Sequence, residues 1–204
     1  MNKIDTFDPL DYDSLSDAVA DALLRCEPIQ LDEVNCFTGP GIYALFYHGP
    51  FPAYSLLASH ERDKPGTWPI YVGKAAPSTR KGKDLTPDNF EGTGLYTRVK
   101  DHRNSIEQSQ NLAVADFTVK VLILSYIWVP MAESAMIGRF KPLWNTTIDG
   151  FGNHDPGRGR RNGVRSMWDT LHPGRSWAHK YPERAESKSD VEHIAEQFLR
   201  SSMN

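Results

Sequence analysis

Cysteine residues and long apolar runs are scarce in this sequence, and each scarcity excludes a class of protein. The 204 residues include only two cysteines, Cys26 and Cys36, too few for a disulfide framework or a four-cysteine zinc site. No apolar run approaches the ~18 residues that a membrane-spanning helix needs, and no basic start followed by an apolar stretch marks a signal peptide. We therefore expect a soluble, reduced, cytoplasmic protein.

The chain also lacks an overall positive charge, but its charges are unevenly distributed. The formal net charge is -3, whereas residues 1–35 contain two basic and nine acidic residues, and residues 151–180 contain six basic and two acidic ones. A local basic segment can bind a polyanion whatever the total charge is. Nucleic acid therefore remains a candidate partner.

The length and the apolar content favour a single domain with appended segments. Hydrophobic residues make up 39% of the 204 positions, enough for one substantial core. We divide the chain into an acidic N-terminal helical extension (1–38), a core (39–150), and a basic loop with a C-terminal helical extension (151–204).

Three runs predict β-strands, two of which carry a tyrosine. Residues 41–48 and 70–73 are short aromatic runs that contain Tyr43 and Tyr71, and residues 115–124 alternate before becoming continuously apolar. The intervals 49–69, with four prolines, and 76–94, rich in Lys, Gly, Pro and Asp, are predicted loops.

Four helices are predicted from apolar spacing and capping residues. They cover residues 15–25, residues 95–109, about ten residues between Pro130 and Pro142, and a last helix capped by Asp190. In the second helix, Arg98 and His102 are one turn apart and should point towards the protein body together. In the third helix, Glu133 shares a stripe with Ile137 and Phe140, so we expect this carboxylate at the start of a core-facing row.

The order of these residues resembles the GIY-YIG nuclease superfamily. The resemblance rests on Gly41-Ile42-Tyr43, then Tyr71-Val72-Gly73-Lys74, Arg98 with His102, Glu133 and Asn145. The runs 141–145, 149–154 and 172–178 are similar to a group of type II restriction endonucleases built on that domain, the nearest subgroup of which cuts CCGCGG. The chain departs from the pattern in the 27 residues between Tyr43 and Tyr71, a longer interval than usual, and in having Val72 where isoleucine is usual.

The resemblance, which covers about residues 39–180, implies an α+β fold and a nuclease reaction. The fold would be a small three-stranded antiparallel sheet flanked by helices. The activity would be Mg²⁺-dependent hydrolysis of double-stranded DNA, with Mn²⁺ able to substitute, by a homodimer on a palindromic site. A repair or mobile-element nuclease and an inactive DNA-binding module are the alternatives. The first would normally carry a separate recognition domain, and the second would not need every catalytic position filled.

The chemistry of phosphodiester hydrolysis assigns each of these residues a role. Tyr43 would be the general base, held with the attacking water by Tyr71 and His102. Since tyrosine has a reference pKa of about 10, its phenolate needs nearby cations, which Lys74 and a metal ion could supply. The other predicted roles are transition-state stabilisation by Arg98, Mg²⁺ binding by Glu133, and fixing of the active-site backbone or the Glu133 region by Asn145.

Each of these residues also has a purely structural interpretation. The tyrosines could be strand-packing residues, His102 a core histidine, Arg98 a solvated residue, and Glu133 a carboxylate favoured by the helix dipole. In the basic segment, the predicted DNA-binding residues either read bases or only hold phosphates. They are Asn153, His154, Arg158, Arg160 and Arg161.

Overall fold

A computed structural model describes residues 12–76, 92–153 and 163–203, which form a mixed helix and sheet structure. The strands are β1 (Ile29–Gln30), β2 (Gly41–Tyr47), β3 (Tyr71–Ala75) and β4 (Phe117–Ile123). The helices are α1 (Tyr12–Arg25), α2 (Ser55–Asp63), α3 (Gly94–Gln108), α4 (Val129–Phe140), α5 (Leu143–Thr146), α6 (Met167–Leu171) and α7 (Lys188–Ser202). Among the described helices, none is long and apolar enough to cross a membrane.

The sheet is antiparallel throughout and has the strand order β1-β4-β2-β3. The three predicted strands are confirmed, and the two-residue strand β1 adds a fourth by pairing with β4. All seven residues of β2 are buried, as expected of a central strand with neighbours on both sides. Strand β3 lies at the edge, where Tyr71 and Gly73 pair with Leu45 and Tyr43 of β2.

Alternate residues of β2 face two separate apolar cores, because successive side chains of a strand point to opposite faces. Tyr43, Leu45 and Tyr47 lie in the core that α3, α6 and α7 cover. Ile42, Ala44 and Phe46 lie in the core that α1 and α4 cover. The N-terminal helical extension therefore packs on one face of the sheet, and the C-terminal one contributes to the core on the other face.

Two local predictions were wrong. The interval 49–69, predicted to be a loop, contains α2 and a short 3₁₀ turn at Pro52–Tyr54. Its four prolines lie before or after α2, so they delimit the helix and do not disrupt it. Ser187, not Asp190, is the N-cap of α7. The Ser187 hydroxyl accepts a hydrogen bond from the backbone N–H of Asp190, and the Asp190 carboxylate accepts one from the backbone N–H of Ser187.

Candidate active site

Tyr43 lies at the centre of the predicted site, with its ring against the backbone of β3. Its register partner is Gly73, and a Cβ atom at that position would stand 2.5 Å from Cζ of Tyr43. The missing side chain is therefore what lets the phenol lie across the edge strand. Tyr43 is fully buried, and its hydroxyl has no hydrogen bond of regular geometry among the described residues.

An aromatic cluster surrounds the Tyr43 ring. The His102 ring centroid lies 5.7 Å from that of Tyr43 and 4.8 Å from that of Tyr71, and the two tyrosine rings are 6.2 Å apart. Phe151 stacks on His102 with centroids 4.4 Å apart and planes within 18°. Tyr43, Tyr71 and His102, which the sequence analysis predicted to act together, are thus brought into contact.

Burial keeps both tyrosines of the cluster protonated in the free protein. It raises the pKa of Tyr43 well above the ordinary value, and Tyr71 and Glu133 raise it further, whereas the nearby Arg98 guanidinium lowers it. The pKa of Tyr71 is raised mainly by burial and lowered by Arg98. Arg98, half-buried on α3, is therefore the cation that opposes the burial of both phenols.

Lys74 and Glu133 form an ion pair beside this cluster. The Lys74 Nζ to Glu133 Oε2 distance is 2.6 Å, with the side chains 39% and 20% exposed. Glu133 begins the predicted row, in which Phe140 is buried and Ile137 packs against the same core. Its carboxylate lies at the margin of that core and reaches Lys74 of β3, as its expected position facing the sheet required. Glu133 is the fifth residue of α4, beyond the first turn where the helix dipole would favour it most.

The Glu133 carboxylate fits the donor set that Mg²⁺ uses. This ion is commonly held by one or two carboxylates, with waters and phosphate oxygens completing its shell. The Lys74 ammonium shows that the carboxylate already faces a cation. No group of three or more His, Cys, Asp or Glu side chains suited to a metal occurs in the described ranges.

Asn145 holds the backbone of the edge strand. Its side-chain amide donates to the Val72 carbonyl at 2.8 Å and accepts from the Val72 N–H at 2.7 Å. These two groups lie on the free edge of β3, so Asn145 substitutes for a neighbouring strand. Val72 lies between Tyr71 and Gly73, and the amide thereby fixes the segment against which Tyr43 rests.

Most of the predicted DNA-binding residues lie outside the described residues. They are His154, Arg158, Arg160 and Arg161. Asn153 is exposed, and its carbonyl accepts a hydrogen bond from Arg175. Arg175, one of the six basic residues of 151–180, is not available to a polyanion, because its side chain is 1% exposed and forms an ion pair with Asp169.

The residues that close the site on the side of α3 were not predicted from the sequence. Phe151 and Gly152 lie against the cluster, and a Cβ at Gly152 would stand 3.1 Å from the Tyr71 hydroxyl and 3.9 Å from Nη2 of Arg98. Gly150 and Gly152 around an aromatic residue were the available signal, since such glycines allow close backbone approach. The run 149–154 was singled out only by its similarity to a known family, and no role was predicted for Phe151 or Gly152.

The comparisons with known proteins include a family match. A family model described as "Eco29kI GIY-YIG domain" matches residues 35–199. The match begins six residues before β2 and ends within α7, so it includes every residue of the site. A search of curated proteins finds no significant match.

Proposed function

Because the chain belongs to the Eco29kI GIY-YIG family of type II restriction endonucleases, we propose that it hydrolyses double-stranded DNA at a specific palindromic site. Membership implies a nuclease of this family. The first candidate for the site is CCGCGG, which the family's namesake cuts. The observation that carries the proposal is the convergence of Tyr43, Tyr71, His102 and Arg98 at the edge strand.

In the proposed reaction, a water oxygen attacks the phosphorus atom and the bond to the 3′ oxygen breaks, which leaves a 5′ phosphate and a 3′ alkoxide that takes up a proton from solvent. The water proton passes to the Tyr43 phenolate, with His102 and Tyr71 holding the phenol ring in place. Tyr43 must first lose its own proton to solvent, and the burial that raises its pKa makes this step unfavourable in the free protein. The charge of Arg98 lowers this pKa and so favours the phenolate.

Arg98 has a second role in this scheme. A guanidinium can hold two phosphate oxygens at once, so Arg98 would stabilise the negative charge that develops in the transition state. Its half-burial strengthens this effect because bulk water screens the charge less.

Glu133 would hold Mg²⁺, with Mn²⁺ as an alternative. The ion would supply positive charge for the leaving oxygen and for the phosphate. In the free protein the Lys74 ammonium neutralises Glu133, so binding of the divalent cation would displace this contact. Asn145 keeps β3 in position by holding the Val72 backbone.

Cleavage of both strands at a palindrome calls for two chains related by a two-fold axis. We therefore propose that the protein acts as a homodimer on DNA. A mass measurement on the protein–DNA complex tests this proposal, and one chain on a doubly cleaved duplex would contradict it.

The segment that follows Asn153 is proposed to read the sequence. Arginine is the usual reader of guanine edges, and Arg158, Arg160 and Arg161 follow within eight residues of Asn153. If these arginines contact only phosphates, replacing them should weaken binding to every sequence alike and reduce its salt dependence. Base reading predicts instead a smaller difference between cognate and noncognate duplexes.

The nuclease assignment is tested by single-turnover cleavage of a long DNA of known sequence in the presence of Mg²⁺. We expect discrete fragments from the wild type and a loss of about 10²–10³-fold in rate for Arg98→Ala. Lys100→Ala removes an exposed cation from the same helix and is the matched control. Failure of the wild type to cut would contradict the proposal, and so would equal rates for the two variants at saturating protein.

A further inference from the structure

The guanidinium of Arg175 is buried next to the loop that closes the site. Its Nε and Nη2 atoms donate to the two carboxylate oxygens of Asp169 at 2.6 and 2.7 Å. Its Cζ atom lies over the rings of Trp168 and Trp177, 4.6 Å from each centroid. The Arg175 and Asp169 side chains are both 1% exposed, so water does not compete for these bonds.

The remaining donors of Arg175 all point to one short stretch of backbone. Nη2 donates to the Gly150 carbonyl at 2.8 Å, and Nη1 donates to the carbonyls of Phe151 and Asn153, both at 3.1 Å. A guanidinium has five N–H donors in a rigid fork, and here all five are used. Three of them fix residues 150–153, a stretch that belongs to no helix or strand.

This stretch carries the groups that contact His102 and Tyr71. The Phe151 ring stacks on His102 at 4.4 Å and meets Tyr71 edge-on at 4.9 Å. Gly152 lies against the Tyr71 hydroxyl, with no room for a side chain unless a neighbour moves by a few tenths of an ångström. A shift of the loop would therefore release one face of the His102 ring and change the space around Tyr71.

We propose that Arg175 is a positioning residue for the Tyr71 and His102 side chains, acting through the backbone of residues 150–153. The inference rests on the proposed nuclease function, because positioning matters only if these side chains take part in the reaction. Arg175 neither reaches the reacting groups nor is exposed to DNA. Its contribution is to hold Phe151 and Gly152 in the one place that orients His102 and Tyr71 against Tyr43.

The test compares Arg175→Lys, Phe151→Leu and their double variant. Lysine keeps the charge opposite Asp169 but loses the planar fork, and so cannot hold both Asp169 oxygens and three carbonyls. Leucine keeps an apolar side chain but removes the stacked ring. Since a misplacement of about 1 Å can cost roughly a hundredfold in rate, each single variant should lose up to about a hundredfold in kcat at saturating DNA.

Two further readouts separate positioning from a loss of stability. If both residues act through the same loop, the double variant should be no slower than the slower single variant, whereas independent effects would multiply. The NMR shifts of the His102 ring protons should move towards unstacked values in Arg175→Lys. Ser187→Ala removes the N-cap hydroxyl of α7, whose hydrogen bonds are to Asp190 and not to the loop, and should lower the melting temperature while leaving kcat and the His102 shifts unchanged.

Wild-type kcat and wild-type His102 shifts in folded Arg175→Lys would overturn the proposal, as would multiplying losses in the double variant. Should Arg175→Lys fail to fold, wild-type kcat in Phe151→Leu would overturn it. Absence of cleavage by the wild type would count against the nuclease function alone, because the His102 shifts test the positioning without cleavage.

Discussion

The phenol of Tyr43 occupies the space that a side chain on Gly73 would fill. The two residues are register partners on β2 and β3, and a Cβ at Gly73 would lie 2.5 Å from Cζ of Tyr43. Gly73, the glycine of the Tyr71-Val72-Gly73 motif, is therefore needed for the placement of Tyr43, because only a residue without a side chain allows the ring to lie across the edge strand.

The Gly73→Ala substitution should displace Tyr43 and abolish cleavage. The ring is fully buried and has no room to yield, so we also expect a destabilisation of about 1–3 kcal/mol, as for other overpacked sites. The matched control is Gly138→Ala in α4, where nothing lies within 4 Å of the new methyl group. That change should stabilise the protein by up to about 1 kcal/mol and leave cleavage intact. Wild-type cleavage by Gly73→Ala would show that Tyr43 need not lie over β3.

The pH dependence of cleavage should reveal a base with a raised pKa. Burial raises the pKa of Tyr43, so the phenolate is scarce at neutral pH and becomes commoner as pH rises. We expect kcat/KM to rise by about tenfold per pH unit through the neutral range, since this ratio reports groups of the free enzyme. A plateau that begins below pH 7 would assign the base to another group, and His102 would be the first candidate.

Glu133→Gln should retain the fold and DNA binding but lose cleavage by orders of magnitude. The substitution keeps the shape of the side chain and removes the charge that pairs with Lys74 and would hold Mg²⁺. Excess Mg²⁺ or Mn²⁺ should partly restore Glu133→Gln but not Arg98→Ala, because the arginine supplies its own charge. Cleavage by Glu133→Gln at the wild-type rate, with metal limiting, would identify the carboxylate as structural.

A buried histidine away from the site, His172, should make the free energy of unfolding depend on pH in the acidic range. Trp144 Nε1 donates to the Tyr54 hydroxyl at 2.9 Å, Tyr54 donates to Nε2 of His172 at 2.7 Å, and Nδ1 therefore donates to Asn111 Oδ1 at 2.9 Å. Burial lowers the pKa of His172 from 6.5 to about 3, so the folded protein keeps the ring neutral.

The expected sign follows from proton uptake by the unfolded chain. Between pH 6.5 and pH 3, the unfolded chain binds a proton at His172 that the folded state excludes. The stability that depends on the neutral ring is therefore complete above pH 6.5 and is lost as pH falls towards 3. The loss is at most about 1.4 kcal/mol per pH unit. Denaturant unfolding of the wild type and His172→Gln should give a difference that shrinks over this window. A difference independent of pH would contradict the assignment.

The sequence was sufficient to predict the sheet and most of the helices that carry the site. The regular spacing of apolar residues predicted α3. Its buried residues include Leu95, Val99 and His102, which were predicted to face the protein body. Helix α2 was missed because its prolines were counted without regard to their positions at the ends. Strand β1 has only two residues, too few for any alternation to show.

Within the site, the individual side chains were easier to predict than their partners. Periodicity places Glu133 near the sheet, but it cannot show that Lys74, 59 positions earlier, would neutralise it. The burial of Arg175 could not be predicted either, because an arginine among glycines and other basic residues is expected to be exposed. Its five hydrogen bonds depend on a loop and a helix that only the folded chain brings together.

The most direct test of the proposed activity is to sequence the ends produced from a pool of randomised duplexes incubated with Mg²⁺ and wild-type protein. We predict that the ends on both strands are related by a two-fold axis within one palindromic sequence, and that Arg98→Ala produces these ends about 10²–10³-fold more slowly. Ends scattered over unrelated sequences, or the same ends from Arg98→Ala at the wild-type rate, would contradict a site-specific nuclease that uses this site.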